Sequence, residues 1–406
     1  MDIAFSDFVI KYFMKKSIKT YLKSAGKDYI SRSVNPPVVR ASTILFKTMQ
    51  ELRKHQKDIA KGKEVAYWDY GRQGSQTTIQ LQKMLKELEQ AHHVFLTQTG
   101  FAAVALAIMS VCRPGDEIVI SDCVYRPTQK LTSQLLKEFC IKTIWYDPNS
   151  FNDLKNKVTK KTKLIYVENP GSNTFEFQDL EKITSFAKRK NIYTAIDNTW
   201  GTAYYLKPIK LGFDMSIVSA TKYYSGHADV MAGSLAVSKK VYKKVWWYNH
   251  VSGYRLSSDD AYLVIRGLRT LDIRLEKHQE NAVKVIKWMT QQKKIAKILY
   301  PYKPSSASYK LWKKYYSGAS GLLGIVIKSK SKSSVYKFVN SLEFFGIGYS
   351  WGGFESLVVY NDHIIEMGKR LFFKLEKNQH LIRLHIGLED PKDLINDLRR
   401  SLRFVK

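Results

Sequence analysis

The sequence predicts an α/β protein built on a mostly parallel central sheet, and two patterns carry that prediction. From residue 93 to residue 222, apolar runs of strand length alternate with helical stretches, the order that makes parallel strands with helices on both faces. Gly100, Tyr125, Asn169, Asp197 and Lys222 each follow or close one of those runs, and so fall at the carboxyl edge, where such sheets bind ligands. At 406 residues the chain is long enough for two or three domains with substantial cores.

The first 75 residues read as an extended arm. Asn35-Pro36-Pro37 breaks any helix there, and Tyr70-Gly71-Arg72-Gln73-Gly74 is a turn-rich loop. Over 78–91, Leu81, Met84, Leu85 and Leu88 stand at helical spacing. A strand over 93–97 then leads to Gly100 and a helix from Phe101. The strand 117–121 precedes Tyr125 and a helix over 127–139, and 141–146 is the next strand. The run 163–167 ends in Glu168-Asn169-Pro170-Gly171-Ser172, the helix 180–190 leads to the strand 192–196, and 215–219 delivers Lys222. From about residue 271 a long helix (271–291) opens a region of alternating strands and helices, read as a smaller α+β domain. The expected division is an arm over 1–75, a large α/β domain over 76–270 and a C-terminal domain over 271–406.

Composition narrows the function. The formal net charge of +30 would suit nucleic acid or a membrane surface and should attract anionic ligands. Its lysines are scattered in short groups such as Lys160-Lys161-Thr162-Lys163, with no Arg-rich aromatic stripe, so nucleic acid is not expected as the main partner. Cys112, Cys123 and Cys140 make an odd set without metal-like spacing, which fits a reducing cytoplasm, and no metal site is expected. The longest apolar run, 101–112, is too short to cross a bilayer. Near the start, Phe5, Phe8, Val9, Tyr12 and Phe13 share one helical face, read as an amphipathic helix that packs on a subunit.

Lys222 lies in Ser219-Ala220-Thr221-Lys222-Tyr223, and Asp197 in Ile196-Asp197-Asn198-Thr199-Trp200. An amine, a carboxylate and the hydroxyls of Ser219 and Thr221, gathered at strand ends, are the parts that hold pyridoxal phosphate (PLP). The lysine can form the Schiff base, the carboxylate can pair with the pyridinium nitrogen and the hydroxyls can donate to the phosphate. Isolated, the tetrapeptide ending in Lys222 fits a buried salt bridge beside capping hydroxyls better. The surrounding chain reverses that preference. Gly100 and the amide of Phe101 open a helix toward the same edge, as an anion site requires. Arg383, flanked by Leu381, Ile382 and Leu384, offers a planar fork suited to a carboxylate. His227 and His385 read as structural.

In order along the chain, Tyr70-Gly71-Arg72, Glu168 to Ser172, Asp197 to Trp200, Ser219 to Tyr223, Arg266 to Leu271, Tyr349-Ser350-Trp351-Gly352-Gly353-Phe354-Glu355-Ser356 and Ile382 to Asp390 resemble the cystathionine β-lyases, within the Cys/Met-metabolism family of fold-type-I PLP enzymes. The resemblance runs from about Lys16 to the C-terminus. It implies that Tyr70 and Arg72 reach the phosphate of a neighbouring subunit's cofactor. It also implies that Tyr125 stacks on the pyridine ring near the substrate amine, that Asn169 bonds the ring oxygen and that Arg383 grips the α-carboxylate. Tyr349, Ser350 and Trp351 would line the substrate pocket. Gly171-Ser172, Trp351 and Tyr349 resemble the β-lyase branch, since γ-lyases commonly carry a glutamate at the position of Tyr349. Phe354, where β-lyases can have Tyr, is a mild departure. The implied protein is a cytoplasmic homo-oligomer, a dimer of dimers, that makes homocysteine, pyruvate and ammonia from cystathionine. Broader cysteine-S-conjugate cleavage, cysteine desulfhydration or alanine racemisation stand as alternatives.

Overall fold

A computed structural model describes residues 17–27, 32–61, 65, 67–304, 306–361 and 371–406. The amphipathic stretch from Phe5 to Phe13 lies outside the described residues. The large sheet has seven strands: β1 (His93–Thr97), β2 (Glu117–Ser121), β3 (Lys142–Tyr146), β4 (Thr162–Glu168), β5 (Tyr193–Asp197), β6 (Met215–Val218) and β7 (Gly233–Val237). Their spatial order is β1-β7-β6-β5-β4-β2-β3. Pairs β2/β3, β2/β4, β4/β5 and β5/β6 are parallel, and β7 runs antiparallel to both β1 and β6. The interior strands β2, β6 and β7 are buried at every position, as expected for a sheet covered on both faces.

The smaller sheet contains β8 (Ile295–Leu299), β9 (Leu322–Lys328), β10 (Gly346–Ile347), β11 (Leu357–Tyr360) and β12 (Gln379–His385), in the order β10-β11-β12-β9-β8. The helix Leu271–Met289 leads into it, two residues shorter than the pattern suggested.

Three local expectations are corrected. The arm is not simply extended: Ser17 caps the helix Ile18–Ser24, and Thr48 caps Met49–Ala60 by accepting from the Glu51 amide. The helix expected over 127–139 is broken by a π-helical segment, Leu131–Leu135, between two short α-helical pieces. The alternation also concealed β7, which follows the functional loop directly and closes the sheet between β6 and β1.

A buried polar cluster supports the loop that carries Lys222. Glu89, at the end of the helix Gln76–Glu89, accepts from Tyr224 Oη at 3.0 Å and from Ser216 Oγ at 3.2 Å. Tyr224 Oη in turn accepts from the Ala203 amide at 3.3 Å, which ties the segment after Asp197 to the segment after Lys222. Burial raises the Glu89 carboxyl to about 7, opposed by the nearby Lys207 ammonium. Lys207 donates to the carbonyls of Leu88 and Ala203. Removing one partner leaves the others buried and unpaired, so Glu89→Ala should destabilise the protein by about 3–5 kcal/mol. Glu89→Gln, which keeps an acceptor for Tyr224, should cost less. Denaturant unfolding of both variants checks this, and equal losses would show that the hydrogen-bond acceptor is not what matters.

Candidate active site

The carboxyl edge of β4, β5 and β6 brings the expected residues together. β4 pairs with β5 so that Glu168 lies opposite Asp197, and the Asn169 amide reaches the Asp197 carbonyl at 3.4 Å. Asp197 Oδ1 accepts from the Thr199 amide at 3.0 Å and from Thr199 Oγ1 at 2.6 Å. Thr199 Oγ1 accepts from the Ser219 amide at 2.9 Å, which fixes the start of the lysine loop relative to the carboxylate. Burial raises the Asp197 carboxyl, while the Thr199 hydrogen bonds and the Lys222 charge oppose the rise.

Lys222 Nζ lies 2.6 Å from Ser350 Oγ and 5.6 Å from the centre of the Trp351 ring. Desolvation lowers this amine to about 8, helped by the Arg383 charge and opposed by Asp197. Arg383, on β12, donates to the Ser350 carbonyl at 3.0 Å, and burial lowers its guanidinium to about 10. The second sheet therefore delivers Ser350, Trp351 and Arg383 to an amine carried by the first. Ser350 holds φ at 81° and Gly352 at 86°, so two residues of this turn occupy the left-handed region. Tyr349 is 76% exposed at its rim.

The other end of the site is built around Gly100, first residue of the helix Gly100–Val111. Thr99 Oγ1 caps the Ala102 amide at 2.9 Å, and the Gly100 and Phe101 amides stand ahead of it at the helix start. A Cβ on Gly100 would overlap the Ser219 hydroxyl, so only glycine lets that side chain stand against the helix opening. Phe101 is 39% exposed beside it. Thr221 Oγ1 donates to the Ala232 carbonyl at 3.1 Å and accepts from the Ala232 amide at 2.9 Å, so its hydroxyl already closes the loop onto β7.

Tyr125 is held by its backbone, whose N–H donates to Glu168 Oε2 at 2.6 Å, leaving the ring half-exposed over the site. Burial raises its phenol, with Glu168 and Asp197 adding to the rise and Arg383 opposing it. Asn169 is buried and much of its side chain is occupied: Oδ1 accepts from the Gln178 amide at 2.7 Å and Nδ2 donates to Tyr316 Oη at 2.8 Å. Arg72 donates to the His250 carbonyl of its own chain at 2.9 Å, and Tyr70 is half-exposed.

Sequence reasoning missed the supports. Arg274 donates to the Tyr223 carbonyl at 2.9 Å and the Gly267 carbonyl at 2.8 Å, bracing the lysine loop from the helix behind it. Tyr316 Oη donates to the Asn169 carbonyl at 2.6 Å, and its ring packs edge-on against Phe177 and Trp200. The signal for Arg274 was an arginine set between Ile273 and Leu275, three residues after Arg266 to Leu271; nothing local marks Tyr316 among the chain's 25 tyrosines.

A partly buried low-pKa lysine, a carboxylate beneath it, a glycine-opened helix and a free-facing serine together fit pyridoxal phosphate. The sequence profile described as Cys/Met metabolism PLP-dependent enzyme matches residues 19–403. The chain belongs to that family. Like its other members, this Cys/Met-metabolism enzyme uses pyridoxal phosphate and acts on a small amino acid. It is 34% identical over 400 residues to a cystathionine β-lyase of Bordetella avium, covering 95% of this chain and 98% of that one. It is 33% identical over 392 residues to an L-alanine/L-glutamate racemase of Wolbachia pipientis wMel, covering 95% and 96%. Among solved structures, cystathionine γ-synthase from Xanthomonas oryzae pv. oryzae superimposes with a TM-score of 0.86 at 28% identity, covering 96% of this chain and 98% of that one. No helix among the described residues is long and apolar enough to cross a membrane, and no cluster of His, Cys, Asp and Glu among them could hold a metal.

An amine must be neutral to attack an aldehyde. With Lys222 lowered to about 8, the cofactor-free enzyme should capture pyridoxal phosphate covalently at a rate that rises with pH through about 8. Stopped-flow absorbance across pH 6–10 measures it. A rise centred near the ordinary lysine value of about 10.4 would show that burial does not tune this amine.

Proposed function

We propose that this enzyme is a β-lyase that cleaves L,L-cystathionine with water into homocysteine, pyruvate and ammonia, a step of methionine biosynthesis. One observation carries the reading. The Lys222 amine is enclosed by Ser350, Trp351 and Arg383, in a turn whose exposed neighbour is Tyr349 rather than an acid. The cystathionine β-lyase among the relatives supports the same branch.

Pyridoxal phosphate, when bound, supplies an electron-withdrawing ring that acidifies the α-proton of an attached amino acid and lets a β-substituent leave. In this reading Gly100, Phe101, Ser219 and Thr221 hold its phosphate, with Thr221 turning from Ala232. Asp197 keeps a proton on the ring nitrogen, which a buried carboxylate does well only beside a cation. Asn169 offers its remaining amide hydrogen to the ring oxygen. Arg383 takes the α-carboxylate by two parallel hydrogen bonds, giving up its bond to the Ser350 carbonyl. Lys222 would remove the α-proton, and with its pKa lowered to about 8 about half of it is neutral, and so able to act as a base, near pH 8. Tyr125 would stack on the cofactor ring, and its raised phenol would keep a proton that it could give to the departing sulfur. Trp351 would shield the side that holds the distal arm, with the exposed Tyr349 at its rim.

The reaction products decide between branches. β-Cleavage of cystathionine yields pyruvate, whereas γ-cleavage yields 2-oxobutyrate and cysteine. Purified enzyme should release pyruvate, and Lys222→Ala should abolish it. Release of 2-oxobutyrate as the main keto acid would overturn the proposal. Arg383→Lys should raise KM for every amino-acid substrate, because an ammonium cannot copy the bidentate grip. The racemase relative favours a second reading, slow alanine racemisation beside elimination. Incubation with L-alanine in deuterated water tests it, since α-deuterium uptake without D-alanine would leave the enzyme a lyase only.

The same reading makes the site a property of two subunits within a homotetramer, with Tyr70 and Arg72 serving the neighbour's cofactor. Arg72→Ala should weaken cofactor binding by about 1.5–3 kcal/mol, the range for a charge-assisted hydrogen bond. At cofactor concentrations too low to load Arg72→Ala, mixing Arg72→Ala and Lys222→Ala chains under subunit exchange should restore part of the activity, as each hybrid dimer has one complete site. Confirmed hybrids without recovery would place Arg72 in its own chain's site.

A further inference from the structure

Two histidines lie beneath the turn that carries Ser350, and the proposed chemistry uses neither. His278 is fully buried and His385 is 1% exposed. Their ring centres are 5.0 Å apart, with planes tilted by 47°. Tyr223, next to Lys222, packs against both, at 5.4 Å and 6.0 Å. Each ring nitrogen can be assigned from what surrounds it.

His278 Nδ1 lies 2.8 Å from the Ile386 carbonyl oxygen, which can only accept, so that nitrogen carries the proton and Nε2 is bare. His385 Nε2 has two neighbours with opposite demands. The Gly352 amide, at 3.1 Å, needs a bare nitrogen, and the Gly353 carbonyl oxygen, at 3.2 Å, needs a protonated one. A neutral ring can satisfy one of them. The two nitrogens left over, His278 Nε2 and His385 Nδ1, are buried and have no hydrogen-bond partner among the described residues.

These demands have one common solution. If the His385 proton sits on Nδ1, it can be shared with the bare His278 Nε2 after a small ring rotation, and His385 Nε2 is free to accept from Gly352. If it sits on Nε2, two bare nitrogens are left buried on neighbouring rings and the Gly352 amide goes unpaired. Only the first arrangement uses every buried donor among these groups. We propose that His278 is a positioning residue that fixes His385 as its Nδ1–H tautomer, so that His385 accepts from Gly352 and holds the 350–352 turn against Lys222.

Both rings are neutral, as this requires. Burial lowers His278 to about 4 and His385 well below the ordinary value, and Arg274, Arg383 and Lys222 add to the effect. The turn also needs holding. Ser350 is a non-glycine residue in the left-handed region, and a Cβ on Gly352 would stand only 3.0 Å from the Tyr223 amide nitrogen. Because Arg383 and Lys222 both bond to Ser350, a loosened turn should disturb carboxylate binding before it disturbs proton removal. This consequence rests on the proposed substrate-binding role of the turn.

The test uses holoenzyme labelled with 15N-histidine and solid-state NMR, in which bare and protonated imidazole nitrogens resonate far apart. Nine histidines contribute, and the signals lost in His385→Gln identify His385. The expected wild-type spectrum shows His385 protonated at Nδ1 and bare at Nε2. In His278→Phe the proton should move to Nε2, and KM should rise by about 3- to 10-fold with a smaller change in kcat, the size of one lost hydrogen bond. His278→Gln, whose amide oxygen can accept where Nε2 did, should restore both. A wild-type His385 protonated at Nε2, or an unchanged tautomer in His278→Phe, overturns the proposal. The wild-type spectrum decides the first point even if His278→Phe does not fold. A tautomer shift with unchanged KM would instead refute the substrate-binding reading of the turn and leave the histidine assignment standing.

Discussion

Desolvating the Lys222 amine beside the buried Arg383 guanidinium is unfavourable, and Asp197 is the acid that opposes it. Burial is the main cause that lowers the lysine to about 8, and the Arg383 charge adds to it. Two cations and one carboxylate leave a local positive excess. The same field suits ligands that bring negative charge, a phosphate at the Gly100 end and a carboxylate at the Arg383 end. The cost of gathering these cations is met by the rest of the fold, so the site depends on scaffolding that keeps them together before any ligand arrives.

That scaffolding works by tying loops to one another across the two sheets. Tyr316 takes both the carbonyl and the side-chain amide of Asn169, and Trp200 donates to the Leu322 carbonyl at 3.0 Å, so the segment from Tyr316 to the start of β9 grips the residues that follow β4 and β5. Arg274 and Glu89 brace the lysine loop from opposite directions, through Tyr223 and Tyr224. The two tyrosines after Lys222 thus act as anchors pointing into separate polar clusters. A loop so braced can lose its contact between Lys222 and Ser350 when the lysine changes partner without moving its own backbone.

The sheet was legible because its strands are short and mostly apolar, and four of them close on a polar residue: Thr97, Ser121, Glu168 and Asp197. The antiparallel β7 was not, because it follows a loop whose glycines and charged residues resemble any other connection. The arm was misjudged from its prolines. Its helices start at capping hydroxyls, Ser17 and Thr48, placed away from Pro36 and Pro37. Within the site, residues that act by their own chemistry, such as Lys222, Asp197 and Arg383, were readable as residue types at strand ends. Those that act by long-range contact, such as Tyr316, which meets Asn169 across 147 positions, leave no local pattern.

The rim of the site carries an argument about assembly. Phe101, Tyr125 and Met231 are 39%, 48% and 59% exposed, and Met231 Sδ lies 4.0 Å from Thr221 Oγ1. Aromatic and sulfur side chains beside the Gly100 helix start leave it bordered by apolar surface that water must cover in a single chain. A second chain laid over that rim would bury it and could bring an arginine to the phosphate, a charge that no helix N-terminus supplies alone. Arg72 is suited to that part because its present bond, to the His250 carbonyl, lies at an exposed position and is weak to give up. Burial of the apolar rim and neutralisation of the phosphate would then be one event, which gives assembly and cofactor retention a common physical cause.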